Sequence, residues 1–187
     1  MKLTELTYKI FLAFFLLTLV ILPACSDDDD SGNMDGNIVG KWTIHKVTDI
    51  STDNTVLNLT LPVVFSQQGI EITSSTYTFD ADNMAHFYIP IKDKSPVQYA
   101  PAYAYENNQL AFRFDEILPI PFNAFDVLTL SDKRLELRAT ISAESLKILL
   151  ELIKLEDPTI GATVESLLAD SLKKGLTITL NLSRVEA

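Results

Sequence analysis

From Ile38 onward the chain alternates apolar and polar positions with a period of two, the spacing of strands that bury one face. Gly40, Trp42 and Ile44 fall on one side and Lys41, Thr43 and His45 on the other, so Trp42 is expected to point inward. Ile70 to Phe79 is β-branched and hydroxyl-rich, and Ala81-Asp82-Asn83 reads as a three-residue turn into a strand from Met84 to Ile91. A three-residue loop keeps odd positions together, which puts Tyr77 and Phe79 on a face with Phe87 and Ile89. Tyr99, Tyr103 and Tyr105 then alternate with Ala100, Ala102 and Ala104 ahead of Asn107-Asn108, a pair that tolerates positive φ in a tight turn. That turn sets Tyr105 opposite Leu110 and Tyr103 opposite Phe112. A third hairpin turning at Asp132-Lys133 sets Leu128 and Leu130 against Leu137 and Leu135, with Glu136 and Arg138 outside. The final strand is the cleanest, with Leu176, Ile178, Leu180 and Leu182 facing in and Thr177, Thr179, Asn181 and Ser183 facing out.

Between residues 142 and 175 the period changes to that of helices. Ser142 is placed to cap a helix running to about Glu156, and Asp157-Pro158 supplies a cap and first-turn proline for a second that stops near Gly175. The first helix carries Leu146, Ile148, Leu149, Leu150, Leu152, Ile153 and Leu155 against a narrow polar stripe of Lys147, Glu151 and Lys154. A helix this apolar is expected to be buried on several sides. The second is amphipathic, with Ile160, Val164, Leu167, Leu168 and Leu172 on one face. Together they predict a helical hairpin, at about 142–174, that caps one end of the β-structure. The Asn54 to Phe65 stretch is expected to cover the other end.

Eight or so antiparallel strands joined mostly by short loops predict a mainly β fold, an up-and-down barrel with a two-helix insertion before the last strand. Closure removes the exposed edges an open sheet would carry. Pairing of the first and last strands would close it. The alternative is an α+β arrangement, an open antiparallel sheet packed on the helical hairpin.

The first residues form a separate unit. Lys2 and Lys9 flank the start, Ile10 to Leu22 is apolar except for Thr18, and small Ala24 precedes Cys25, the layout of a cleaved secretory signal over 1–24. The run is too short to span a bilayer comfortably. Ser26-Asp27-Asp28-Asp29-Asp30 follows at once, and Ser31 to Asn37 is a Gly/Asn/Asp-rich tether, so 25–37 links the signal to one domain over 38–187. A small residue before Cys resembles a bacterial lipoprotein lipobox, which implies that Cys25 is acylated and becomes the first mature residue. The serine and four aspartates resemble the export signal of Bacteroidota surface lipoproteins. That resemblance implies a lipid-anchored location on the outer face of the outer membrane. Several acyl chains, at about 0.8 kcal/mol per buried methylene, make such an anchor permanent in practice.

Gly40-Lys41-Trp42 at the head of the first strand of a β-meander resembles the Gly-x-Trp signature of the lipocalins. The similarity extends over the strands from Ile38 to about Thr140 and the last strand. It implies an eight-stranded cup and the binding of small apolar molecules. The aromatic residues Trp42, Tyr77, Phe79, Phe87, Tyr103, Tyr105, Phe112 and Phe114 are the candidate lining. Core packing is the leading reading, since small barrels fill their interiors with their own side chains; the functional reading is a ligand cavity, to whose wall tyrosine hydroxyls would give polar handles.

Catalysis is the minority reading. The 187-residue chain has two histidines, His45 and His86, both out of phase with the apolar faces of their strands, and one cysteine. With Cys25 acylated, no thiol remains for a disulfide, a zinc site or a nucleophile. Asp80, Asp82 and Asn83 read as turn residues before they read as calcium ligands. No cofactor, metal site or catalytic residue is assigned. The net charge is −10, and loss of Lys2, Lys9 and Glu5 with the signal makes the mature chain more acidic still. Such a surface disfavours nucleic acid and anionic lipid. The expectation is a non-enzymatic binding module for a small apolar or mixed-polarity ligand, with docking on a glycan or an envelope protein as the alternative.

Overall fold

The computed structural model describes residues 34–113 and 124–186; the signal, Cys25, the Ser26–Asp30 run and Phe114 lie outside them. The fold is mainly β, a strongly curled antiparallel half-barrel with a few helices. The strands are β1 (Gly40–Thr43), β2 (Ile50–Thr52), β3 (Thr76–Phe79), β4 (Ala85–Ile89), β5 (Val97–Tyr99), β6 (Ala102–Glu106), β7 (Gln109–Arg113), β8 (Ala124–Leu130), β9 (Arg134–Ile141) and β10 (Leu176–Arg184). They run in the order β5-β4-β3-β1-β10-β9-β8-β7-β6, with β2 paired to β10.

Local register follows the turn chemistry. Tyr77 pairs with Phe87, Tyr103 with Phe112 and Tyr105 with Leu110, as the loop lengths require. Asn83, Asn107 and Asn108 all have positive φ, the conformation that an asparagine accepts at low cost. The inward and outward residues of β10 alternate along its length as the sequence predicts. One register differs. A bulge between Val127 and Thr129 places Val127, not Leu128, opposite Leu137, so Leu128 is only half-buried while Val127 enters the core.

The first and last strands do pair, Trp42 opposite Arg184 and Thr43 opposite Ser183. Among the described residues the sheet's outermost strands are β5 and β6, and the single strand expected through the tyrosines is broken at Pro101. Proline has no N–H to give a ladder. β5 pairs with β4 at Ile89–Val97, and β6 returns to β4 only through the bridge Met84–Ala102, where Ala85 donates to the Pro101 carbonyl at 2.9 Å. The Ile70 to Phe79 segment also departs from a continuous strand. Ile72–Ser74 is a 3-10 turn, and the strand begins at Thr76.

Helix α1 (Thr55–Gln68) forms where a covering segment was expected, capped by Asn54 and ended by Gly69 at φ 69°. After β9 come α2 (Ala143–Glu156), α3 (Pro158–Leu167) and the one-turn α4 (Ser171–Lys174). The second predicted helix is thus split, and Gly175, at φ 94°, ends the second piece. Ser142 accepts from the Ser145 N–H at 3.1 Å, the expected cap. Gly161 lets α3 approach α2, since a Cβ there would lie 2.9 Å from the Lys154 Cα. Lys154 then reaches Glu165 at 3.0 Å and Glu151 at 3.2 Å.

Two expectations about the helices are corrected. Leu146, Leu149, Leu150 and Ile153 of α2 enter the core, but Ile148, Leu152 and Leu155 remain exposed, Leu155 at 82%. One face of α2 is buried rather than several: among the described residues α3 and α4 pack against it, and its buried leucines join the core cluster. The Asn54–Phe65 stretch does not cover the opposite end. It lies beside α3 and α4, tied by Asn54 to Ser171 at 2.8 Å and by Asp53 to Lys174 at 3.2 Å. The reason is the pairing of β2 with β10 at Thr52–Ile178, which delivers α1 to the end where the helical insertion joins β9 and β10.

Candidate functional site

Of the aromatic residues singled out from the sequence, Tyr77, Phe79, Phe87, Tyr103 and Phe112 are drawn into one cluster of ring contacts in the core. Phe79 packs on Phe87, Tyr103 and Phe112 with ring centroids 6.5, 5.2 and 6.1 Å apart, and Phe112 continues to Phe125 at 5.9 Å. Tyr77 meets Phe87 at 5.8 Å. Several of these contacts are edge-to-face, the arrangement the ring quadrupole favours. Trp42, Tyr77, Phe79, Phe87, Tyr103 and Phe112 are all buried, and Tyr105 is half-buried.

The polar atoms of Trp42, Tyr77 and Tyr103 are already engaged. The Tyr103 hydroxyl donates to the Asp80 carbonyl at 2.8 Å. Burial, with Asp80 and Asp82 nearby, pushes its phenol pKa up. The Trp42 indole donates to the Ile38 carbonyl at 2.9 Å, and its outer face is covered by the Arg184 guanidinium at 4.3 Å. Gly40 stands at φ 144°, a backbone conformation that residues with a Cβ rarely adopt, and its bare Cα leaves the Arg184 guanidinium room beside it. Gly40 and Trp42 thus form one device with Arg184, whose Nη1 donates to the Val39 carbonyl at 2.9 Å.

Tyr77 is buried with its hydroxyl against Ser75 at 3.2 Å, and burial raises its pKa from 10.0 to about 12. A raised folded-state pKa means that the unfolded chain ionises first. The stability Tyr77 provides is therefore complete below pH 10.0 and is lost as the pH rises to about 12. Across that interval the unfolding free energy of the parent should fall more steeply than that of Tyr77→Phe, which has no proton to lose. Denaturant melts at stepped alkaline pH measure this, and parallel curves would contradict it.

His45 and His86 are exposed, and His86 Nε2 lies 3.0 Å from the Asp80 carboxylate. Asp82 accepts from the Met84 N–H at 3.2 Å and so belongs to its turn. Among the described residues, no group of three His, Cys, Asp or Glu side chains is gathered as metal ligands. Nor is any described helix long and apolar enough to cross a membrane.

Among the described residues a cavity lies elsewhere. A slot of about 60 Å³ runs between α1, α3 and the sheet, walled by Leu57, Leu61, Val64 and Phe65 from α1 and by Val164, Leu167 and Leu168 on the α3 side. Ile50, Leu176 and Ile178 form its floor, and Thr52 and Thr60 are its only polar residues. None of the aromatic residues read from the sequence lines it. The slot exists because α1 is poorly seated: this 14-residue helix, uncharged throughout, buries only Leu57 and Phe65. Pro62 inside it removes one helical hydrogen bond, and Val56, Leu59 and Val63 face outward, Leu59 at 73% exposure. The sequence signal was present in the charge-free run from Thr55 to Gln68. Its period does not distinguish an apolar lid from a core helix, because such a helix has no polar face to orient it.

A second, polar cleft of about 430 Å³ adjoins the start of α1, lined by Asp53, Asn54, Thr55, Val56, Asp170, Lys173 and Lys174. The buried Asn54 side chain stands between the two. It accepts from the Val56 and Leu57 N–H groups at 3.0 and 3.2 Å and donates to Ser171 and to the Leu167 carbonyl. In comparison with known proteins, the sequence matches no family model and no curated protein.

Proposed function

We propose that the protein is a surface-anchored lipoprotein of Bacteroidota type with a lipocalin-like domain, acting as a non-enzymatic binding module for a small apolar or mixed-polarity ligand. The observation that carries the binding reading is the apolar slot under α1. A loosely held, uncharged helix over an apolar space can lift to admit a guest without exposing any charge it would have to rebury. At about 60 Å³ the slot is well below the roughly 300 to 1,000 Å³ of small-molecule sites, so binding requires that movement. The lipocalin-like reading is supported by Gly40 and Trp42 at the head of a strand that pairs with the last one.

Surface anchoring fits the placement of the ends. Gly36 is bonded to the Leu130 carbonyl, and Asn37 to Arg184 at the far end of β10, whereas the slot lies by Leu176 at its near end. Eight strand residues separate these points by about 27 Å, so the slot lies at the end of β10 opposite the segment that leads back to Cys25. Replacing Cys25 with Ala should release the protein from membranes. Replacing Asp27 to Asp30 with Ala should keep it anchored but hidden from external protease. Equal protease sensitivity of the aspartate-free variant and the parent would refute the export reading.

For the ligand, native mass spectrometry of protein from its own host should show co-purifying mass that is absent from Leu61→Trp, which fills the slot. Ligand-free parent protein that also fails to bind an apolar fluorescent probe would sink the binding reading. The second reading, docking on an envelope protein or glycan, draws on the outward apolar residues of α1 and α2. It predicts that Leu59→Lys and Leu155→Lys abolish co-isolation of a partner while leaving probe binding intact.

A further inference from the structure

We infer that the slot and the neighbouring cleft are two halves of one site, and that its ligand is a single-chain amphiphile with a zwitterionic head, of the lysophospholipid class. The inference rests on the binding reading above and specifies its ligand. The shape of the slot selects the tail. Its α1 wall runs from Leu57 through Leu61 and Val64 to Phe65, about 12 Å along the helix axis, and only Thr52 and Thr60 of its lining are polar. A linear hydrocarbon chain laid along that wall meets apolar side chains over its length when α1 moves out, whereas a fused ring system would have to part α1 from α3 much further.

The cleft selects the head. It opens at the same end of α1, where Thr52 and Leu57 line the slot and Asp53, Thr55 and Val56 line the cleft. The helix N-terminus itself offers little, since the Val56 and Leu57 N–H groups already bond Asn54. The charged side chains are Lys173 and Lys174 with Asp53 and Asp170, two of each sign. They form exposed pairs, Lys173 to Asp170 at 3.4 Å and Lys174 to Asp53 at 3.2 Å, weakly held in water; Asp53 is fixed in place by the Thr177 N–H at 3.0 Å on its other oxygen, so Asp170, Lys173 and Lys174 are the groups that can exchange partners. A lone anion entering the cleft would meet two carboxylates on a protein of net charge −10, and a lone cation would meet two ammonium groups. A phosphate joined to an ammonium answers both signs at once, phosphate to the lysines and ammonium to the aspartates.

The test is calorimetric titration of the chain from Cys25 onward with four twelve-carbon probes below their micelle concentrations: dodecylphosphocholine, dodecanoate, dodecyltrimethylammonium and dodecanol. Dodecylphosphocholine should bind one to one, about tenfold or more tighter than each of the others. The exposed double substitution Asp170→Asn/Lys173→Ala should bring it down to the affinity of dodecanol and leave dodecanol unchanged. Leu61→Trp should abolish binding of all four. Equal affinities for dodecanol and dodecylphosphocholine, with no effect of the double substitution, would overturn the zwitterion inference while the apolar slot survived. Binding of a polycyclic apolar probe blocked by Leu61→Trp, with no binding of the linear chains, would overturn the tail inference and leave the binding function standing. Failure of every probe would overturn both.

Discussion

Trp42→Ala should cost about 3 to 5 kcal/mol of unfolding free energy, the range for removing a buried large aromatic, and should sit at the upper end of it. Trp42 is fully buried, and truncation removes more than packing. The Ile38 carbonyl, buried with its residue, loses its indole donor at 2.9 Å. Arg184 loses the ring beneath its guanidinium, and its Nε is already buried without a hydrogen-bond partner. Against a typical domain stability of 5 to 15 kcal/mol, a loss of this size leaves a marginal fold. Trp42→Phe keeps a ring for Arg184 and loses only the donor and some volume, so it should cost about 1 to 3 kcal/mol. Because Trp42 is the one tryptophan in the chain, the melts must be followed by far-ultraviolet circular dichroism rather than intrinsic fluorescence. A loss under about 2 kcal/mol for the alanine variant would mean that Arg184 and Trp42 do not form the cornerstone described above.

Asn54→Ala should be the most damaging polar substitution, at about 2 to 4 kcal/mol. The loss of an asparagine N-cap accounts for about 0.5 to 2 kcal/mol. Stripping a buried hydroxyl of a partner adds about 1 to 3 kcal/mol, and Ser171 is fully buried. Ser171→Ala removes only the bridge and should cost about 1 kcal/mol. A double-mutant cycle over the two residues should then show a coupling of about 1 kcal/mol, since each single change already breaks the same bond. Amides of α1 should also exchange faster with solvent in Asn54→Ala, because the helix is held by this latch and by only two buried side chains. Strict additivity, or exchange unchanged in α1, would show that the helix is held by other means.

Much of the β-structure was legible because strand register is local. Asn107-Asn108 sets Tyr103 against Phe112 wherever that hairpin sits, and the Ala81–Asn83 turn does the same for Tyr77 and Phe87. Ser142 capped its helix as read, since a cap acts within one turn. The errors arose where local rules compete with surroundings. Pro101 ended a strand whose side-chain alternation ran straight through it, and a bulge exchanged Leu128 for Val127. The site was the least legible part. The aromatic residues that looked like a ligand wall pack on one another, while the slot is lined by leucines, isoleucines and valines of no distinctive pattern.

The sequence by itself determined which residues face inward along β3, β4, β9 and β10, where the turns reverse, where α2 begins and that the chain is acidic. These follow from periods of two and 3.6, from turn residues and from charge, all of which act over a few positions. Only the tertiary structure decided that the rings pack on one another in the core, that Arg184 covers Trp42 across 142 residues of chain, and that Asn54 latches onto Ser171. The pairing of β2 with β10, and with it the meeting of α1 with the helical insertion at one end, depends on how far the sheet curls. Curl is a sum of small twists over many strand pairs, so no short stretch of sequence encodes it.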